Sequence, residues 1–305
     1  MSLHATFPPR VLSTSIRVLI SICGASQAAC SAIHSEISPI ATYQRPAVAT
    51  QENNPRVQRA ERTPDPPSAV PTKSGSRLVI FRIPISGTSA FADIVRVDLL
   101  SVKTSIVDVP SAVEKAFAYP AFTLREVAQA LHPLVVISGG SSDGGTVPAP
   151  QGLLVVGAHR LSPLDMTPKR ALGVVCAQRD GKVSIIPKTA RTVSSCFGAL
   201  QSGPMLIEPN HHFGMEHRDL PAYARAVLGL DTAGRYAYLI VSGEVDPYSL
   251  AAQLYRPVRE GGLDLSAAIV LGSGAGHAGM IVMDRGTRRV FGNENATLPS
   301  AIATF

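Results

Sequence analysis

Tryptophan is absent from this chain, and nine phenylalanines and seven tyrosines are its only aromatic residues in 305. The core must therefore be built from Val, Ile, Leu and Ala, which a hydrophobic fraction of 45% allows. No stripe of Arg and Lys with interleaved aromatics occurs, so no nucleic-acid-binding face is expected. No C-x-x-C spacing occurs among the four cysteines, which excludes a zinc knuckle. His211, His212 and His217 are the only clustered histidines. Adjacent residues of a strand point to opposite faces, so they read as a solvated loop and not as a metal site. No cofactor is expected. No fixed-period repeat appears, so a solenoid is excluded as well.

What is present falls into three stretches. Residues 1–31 look like an export signal. Arg10 and Arg17 precede or open a short apolar run, Val18 to Ala25, and small residues around Ala28 and Ala29 follow at cleavage spacing. The run is shorter than the roughly 20 residues of a membrane span. A secreted or periplasmic protein is implied, with a lipid anchor on Cys30 as the alternative. Residues 32–77 form a Pro- and Arg-rich segment, too polar to offset its chain entropy, and read as a disordered linker. Its stretch from 45 to 77, with six basic and three acidic residues, carries half of the net charge of +6. Such a linker is solvated and can make peripheral contact with an anionic envelope. Residues 78–305 form the folded part. Within it Cys176 and Cys196 are the only cysteine pair. They form a disulfide or remain two buried thiols; a closed loop of this size contributes about 3 kcal/mol.

The folded part alternates β-like runs with few helices. Leu78–Phe81 and Ala92–Leu99 predict strands. Thr123 with Glu126 three residues later forms a capping box and predicts a helix over 123–132. Apolar runs at 134–137, 153–156, 171–176 and 183–186 follow, the last two joined by an Asp180-Gly181 turn. A second hairpin joins 226–230 to 236–241. Asp246-Pro247 opens a helix over 246–258. Runs at 267–271 and 280–283 complete the set. This order predicts an α+β fold: a single domain with a mixed, largely antiparallel sheet, hairpins and a few packing helices.

Glycine-rich turns are the most prominent local feature. Gly274-Ala275-Gly276-His277-Ala278-Gly279 matches the dinucleotide fingerprint, but a β-like run follows where a helix is required. Neither glycine turn ends in Gly-Lys-Ser/Thr, so a P-loop is excluded. Neither Ser202 nor Ser273 sits between glycines at the spacing of a nucleophile elbow.

The turns taken together and in order carry more. Gly152-Leu153-Leu154-Val155-Val156-Gly157, Ser138-Gly139-Gly140, Gln201-Ser202-Gly203-Pro204-Met205-Leu206, Arg225-Ala226-Val227-Leu228-Gly229 and Leu271-Gly272-Ser273-Gly274 resemble the phosphodiester glycosidase family over roughly residues 90–290. The resemblance implies hydrolysis of a sugar-1-phosphodiester, and a sugar-phosphate or glycan as ligand. It implies that Arg225 contacts phosphate or sugar, as a guanidinium suits a phosphodiester. Gly139, Gly140 and Gly203 would let backbone N–H groups approach phosphate oxygens. Ser138, Gln201, Ser202, Gly272, Ser273 and His277 would line the same place. Two family positions differ: its Asp in the last turn is Gly272, and its Asn in the first turn is Ser138. Glycoside cleavage ordinarily uses carboxyl groups. Asp143 and Glu244 are the candidates to supply one. If neither does, the chain is an inactive relative that binds glycans or anionic envelope polymers.

Overall fold

The computed structural model describes residues 77–142, 145, 147–167, 172–189, 193–216 and 220–305. The export segment, nearly all of the linker, Asp143 and His217 lie outside the described residues. The described chain forms seventeen strands in three sheets and three short α-helices.

The first sheet has seven strands. In spatial order they are β1 (Leu78–Pro84), β2 (Phe91–Asp98), β13 (Tyr236–Val245), β12 (Tyr223–Leu230), β14 (Ala267–Ser273), β10 (Met205–Glu208) and β11 (His212–Phe213). The second sheet orders β16 (Thr287–Gly292), β15 (Gly279–Asp284), β4 (Val135–Gly139), β17 (Ser300–Thr304) and β3 (Thr104–Asp108). The third orders β6 (His159–Ser162), β5 (Leu154–Val156), β9 (Gly198–Ser202), β7 (Gly173–Ala177) and β8 (Val183–Pro187). Every strand pairing among the described residues is antiparallel. The fold is thus richer in sheet than the α+β expectation, and no parallel pair makes it mixed. Runs such as Ala267–Leu271 read as mixed-sheet strands because both faces are apolar. Both faces are indeed buried, but by other layers of an antiparallel fold.

The layers follow from side-chain alternation. On β2, Val95 and Val97 point into a core shared by all three sheets, with Leu228, Leu239, Ile137, Ile302, Leu154 and Leu200. Ile94, on the opposite face, joins Val227, Ile240 and Val270 beneath helix α3 (Pro247–Tyr255), which contributes Leu250 and Leu254. Helices α1 (Val109–Glu114) and α2 (Leu124–Leu131) cover the outer face of the second sheet, packing on Val136, Ile281 and Ala301. The predicted capping box is present at α2: Glu126 N–H donates to Thr123 Oγ1 at 3.3 Å, and Thr123 N–H to Glu126 Oε2 at 2.9 Å. Such a cap contributes about 1 kcal/mol. Burying Leu124 and Val127 contributes about 1.5–3 kcal/mol each, so packing holds this helix more than its cap.

Cys176 on β7 and Cys196 are joined in a disulfide with their Cα atoms 5.3 Å apart, closing a 20-residue separation. Both lie in a small apolar cluster with Leu153 and Val174 on the third sheet.

Candidate functional site

The three sheets bring the first glycine turn, the start of β10 and the end of β14 to one place. They enclose a cavity of about 190 Å³ lined by Gly140, Ser141, Ser142, Gly203, Val270, Leu271, Gly272, Ser273 and His277. Five residues singled out from the sequence therefore line one cavity: Gly140, Gly203, Gly272, Ser273 and His277. Ser141, Ser142, Val270 and Leu271 join them. Their sequence signal was only their position beside a glycine turn.

Four others stand behind the wall, with their polar groups used inside the protein. Ser138 Oγ donates to Gly279 O at 2.9 Å and accepts from Gly279 N–H at 2.8 Å, which locks β4 to β15. Gly139 is pressed against Leu200 and Ala301; a Cβ there would lie 2.9 Å from Leu200 Cδ2. Ser202 Oγ donates to Val270 O at 2.7 Å. Gln201, only 1% exposed, accepts on Oε1 from the N–H groups of Leu153 (2.9 Å) and Asp165 (2.8 Å) and donates from Nε2 to Asp165 O (2.7 Å). It pins the segment between Leu153 and Asp165 to β9.

Arg225 lies one hydrogen bond behind the cavity. Register places it opposite Ser273 across β12 and β14. Its Nη1 donates to Ser273 Oγ at 2.9 Å and its Nη2 to Pro221 O at 2.9 Å. The residue is 5% exposed, and its buried Nε has no hydrogen-bond partner among the described residues. Burial lowers the guanidinium's pKa from its ordinary value, and the charge of Asp246 opposes that only from a distance. No carboxylate among the described residues forms an ion pair with it. A guanidinium only donates, so Ser273 Oγ accepts from it and the Ser273 hydroxyl proton remains available to the cavity.

Carboxylates are what the described lining lacks. Glu244 is exposed on β13, near the irregularity between Tyr223 and Arg225, and does not line the cavity. Asp143 follows Ser142 in the chain but lies outside the described residues. Gly272 leaves no room for a side chain: a Cβ would lie 2.4 Å from the carbonyl oxygen of His277. The described residues hold no group of three or more His, Cys, Asp or Glu placed to bind a metal ion. His211, instead, stacks on Tyr255 with ring centroids 4.1 Å apart. No helix among the described residues is long and apolar enough to cross a membrane.

No protein-family model matches the chain, and no curated protein does. Solved structures do share its shape. The catalytic domain of zebrafish N-acetylglucosamine-1-phosphodiester alpha-N-acetylglucosaminidase, solved auto-inhibited by its pro-peptide, superposes with a TM-score of 0.55 at 13% identity, covering 77% of this chain and 86% of that one. A hypothetical protein from Synechocystis gives 0.53 at 11% identity, over 74% of this chain and 61% of that one. An exported-protein candidate from Burkholderia pseudomallei K96243 gives 0.51 at 9% identity, over 72% and 75%. At these identities the likeness is one of fold: the chain is built on an architecture that it shares with a phosphodiester glycosidase catalytic domain.

Proposed function

We propose that this is an exported, glycosidase-like protein that binds a sugar-phosphate or related anionic glycan in the cavity between its glycine turns without hydrolysing it. The observation that carries this reading is the contrast at Gly272 and Arg225. The cation is kept, buried behind Ser273 with no carboxylate among the described residues in contact with it. The position where the resembling family has its acid has no room for any side chain. A buried cation that no described carboxylate pairs with favours an anion, and the Ser273 hydroxyl is the donor that would meet it. The zebrafish enzyme acts on an N-acetylglucosamine-1-phosphodiester, and the shared fold makes that ligand class the first to test. Loss of general acid–base help alone costs about 10²–10⁴ in rate.

Hydrolysis is the second reading, and the position of Asp143 favours it: Ser142 lines the cavity, and Asp143 is the next residue. The disulfide and the likeness to an exported-protein candidate support a secreted or periplasmic location. The basic linker is the part suited to peripheral envelope contact.

The test is to titrate the full chain with N-acetylglucosamine 1-phosphate by calorimetry and to incubate it with a chromogenic sugar-1-phosphodiester. Saturable binding with no hydrolysis is expected. Hydrolysis that Asp143→Asn abolishes would overturn the binding-only reading and establish the second.

A further inference from the structure

The glycine-turn cavity, at about 190 Å³, is smaller than the roughly 300–1,000 Å³ of sites that enclose a small-molecule ligand. A sugar-phosphate therefore fits in it only in part, and the part outside needs a surface to lie on.

The ladder between β12 and β14 leads to one. It runs on past the Arg225–Ser273 pair, where Gly274 N–H donates to Ala224 O at 2.8 Å. The start of β12 is thereby held alongside the open last turn, in which a Cβ on Gly274 would meet nothing within 4 Å. Tyr223 is the first residue of β12 and is 47% exposed. The Arg225 guanidinium lies over its ring, with Cζ 5.8 Å from the ring centroid. The same guanidinium donates to Ser273 Oγ in the cavity wall. One cation thus links a half-exposed aromatic ring to the hydroxyl that would meet the anion. Shielding the cation is a weak reason for the ring to be there. At 5.8 Å the contact is close to the outer limit of about 6 Å for a cation over an aromatic face. Arg225 is moreover buried while the ring beside it faces water.

We propose that Tyr223 is a specificity residue of this site: the sugar ring of a sugar-phosphate stacks on Tyr223 while its phosphate is held at Ser273. The inference rests on the reading of the cavity as a sugar-phosphate site. A pyranose with equatorial substituents presents C–H groups on its flat faces. These carry slight positive charge, and the face of an aromatic ring is negative. The sugar hydroxyls at the rim of such a stack stay in water, which a half-exposed ring allows and a buried one does not. One guanidinium between the ring and Ser273 is a separation that a single sugar carried on a phosphate can span. Bare phosphate has no face to stack, so the ring distinguishes a cyclic sugar-phosphate from other anions that Arg225 and Ser273 would attract alike.

The test titrates the full chain with N-acetylglucosamine 1-phosphate by calorimetry and displaces it with inorganic phosphate. Saturation near about 1 mM and displacement by phosphate are expected of the parent. Tyr223→Ala, an exposed change, should weaken the sugar-phosphate about threefold to tenfold and leave the competition constant of phosphate within about twofold. Tyr223→Phe keeps the ring and should stay within about twofold of the parent for both ligands. Saturation-transfer NMR with irradiation of the aromatic protons should mark the sugar ring protons in the parent, and Tyr223→Ala should lose most of that signal. An equal loss of both ligands in Tyr223→Ala would make the ring a shield for Arg225 and overturn the proposal. A loss in Tyr223→Phe as large as that in Tyr223→Ala would place the contact at the hydroxyl and overturn stacking. Unchanged sugar-phosphate affinity or unchanged transfer in Tyr223→Ala overturns it too, and leaves the cavity reading standing. If the parent binds no sugar-phosphate, or phosphate does not displace it, the cavity reading falls and this inference falls with it.

Discussion

The two glycine turns around the cavity use the same residue for opposite reasons. In the first turn glycine is required by crowding. Gly140 has φ +71°, and a Cβ on it would lie 2.8 Å from Ser300 Oγ and 3.0 Å from Leu200 Cδ1. In the last turn, Gly274 has φ +91° with nothing within 4 Å, and Gly276 is equally open. The glycines at its two ends, Gly272 and Gly279, are crowded, and what crowds both is backbone. One turn is therefore a packed element of the core, and the other an open rim on a closed base. Chemistry can be added to the rim by substitution, but not to the base without moving the chain.

The sharpest way to break this contrast is Gly140→Ala. Left-handed strain of about 1–2 kcal/mol adds to overpacking of about 1–3, so a loss of about 3 kcal/mol in denaturant unfolding is expected. A loss below about 0.5 kcal/mol would mean that the first turn is not packed. Next is Gly272→Asp, which restores the family's acid. With the His277 carbonyl in the way, a cost of about 1–3 kcal/mol and no gain in hydrolysis are expected from melting curves and the chromogenic assay. A stable, active variant would show that the base can open. Arg225→Met separates stability from binding. Anion affinity should fall about tenfold or more, while stability stays level or rises, because a buried cation that no described carboxylate pairs with is replaced by an apolar chain of similar length. A parallel loss of stability would make Arg225 a structural residue. The smallest effect belongs to Gly276→Ala on the open rim, expected within about 0.5 kcal/mol of the parent and with unchanged affinity.

Much of this architecture was legible before any coordinates. The Thr123–Glu126 capping box, the Asp180-Gly181 hairpin and the strands flanking Ala233-Gly234 are local signals, and each is where the sequence places it. The glycine turns were legible as a group, because a shared order along the chain carries information that no single turn does. Less legible were β3 and β17. Ser-Ile-Val and Ala-Ile-Ala are too short to show a period; β3 becomes a strand only by pairing with β17, and β17 by pairing with β3 and β4, across most of the chain. The division within the site was also hidden. Ser138, Gln201 and Ser202 are polar residues beside glycines, the same pattern that a ligand site would leave. Their hydrogen bonds to Gly279, Asp165 and Val270 depend on tertiary neighbours that no local window contains. Gly139 and Gly272 likewise look like flexible turn residues, and packing makes both of them rigid.

The position of β17 bears on when the protein can fold. It lies between β4 and β3 in the second sheet, and its first residue bonds to Gly139, 161 residues earlier in the chain. Until residues 300–304 have been synthesised, β3 and β4 have no common neighbour, and α1 and α2 have no finished surface to cover. Pairings this distant form slowly, because a long loop must close first. The second sheet of such a chain stays open until β17 has been made, so the helices that cover it are the last part of this layer to lock.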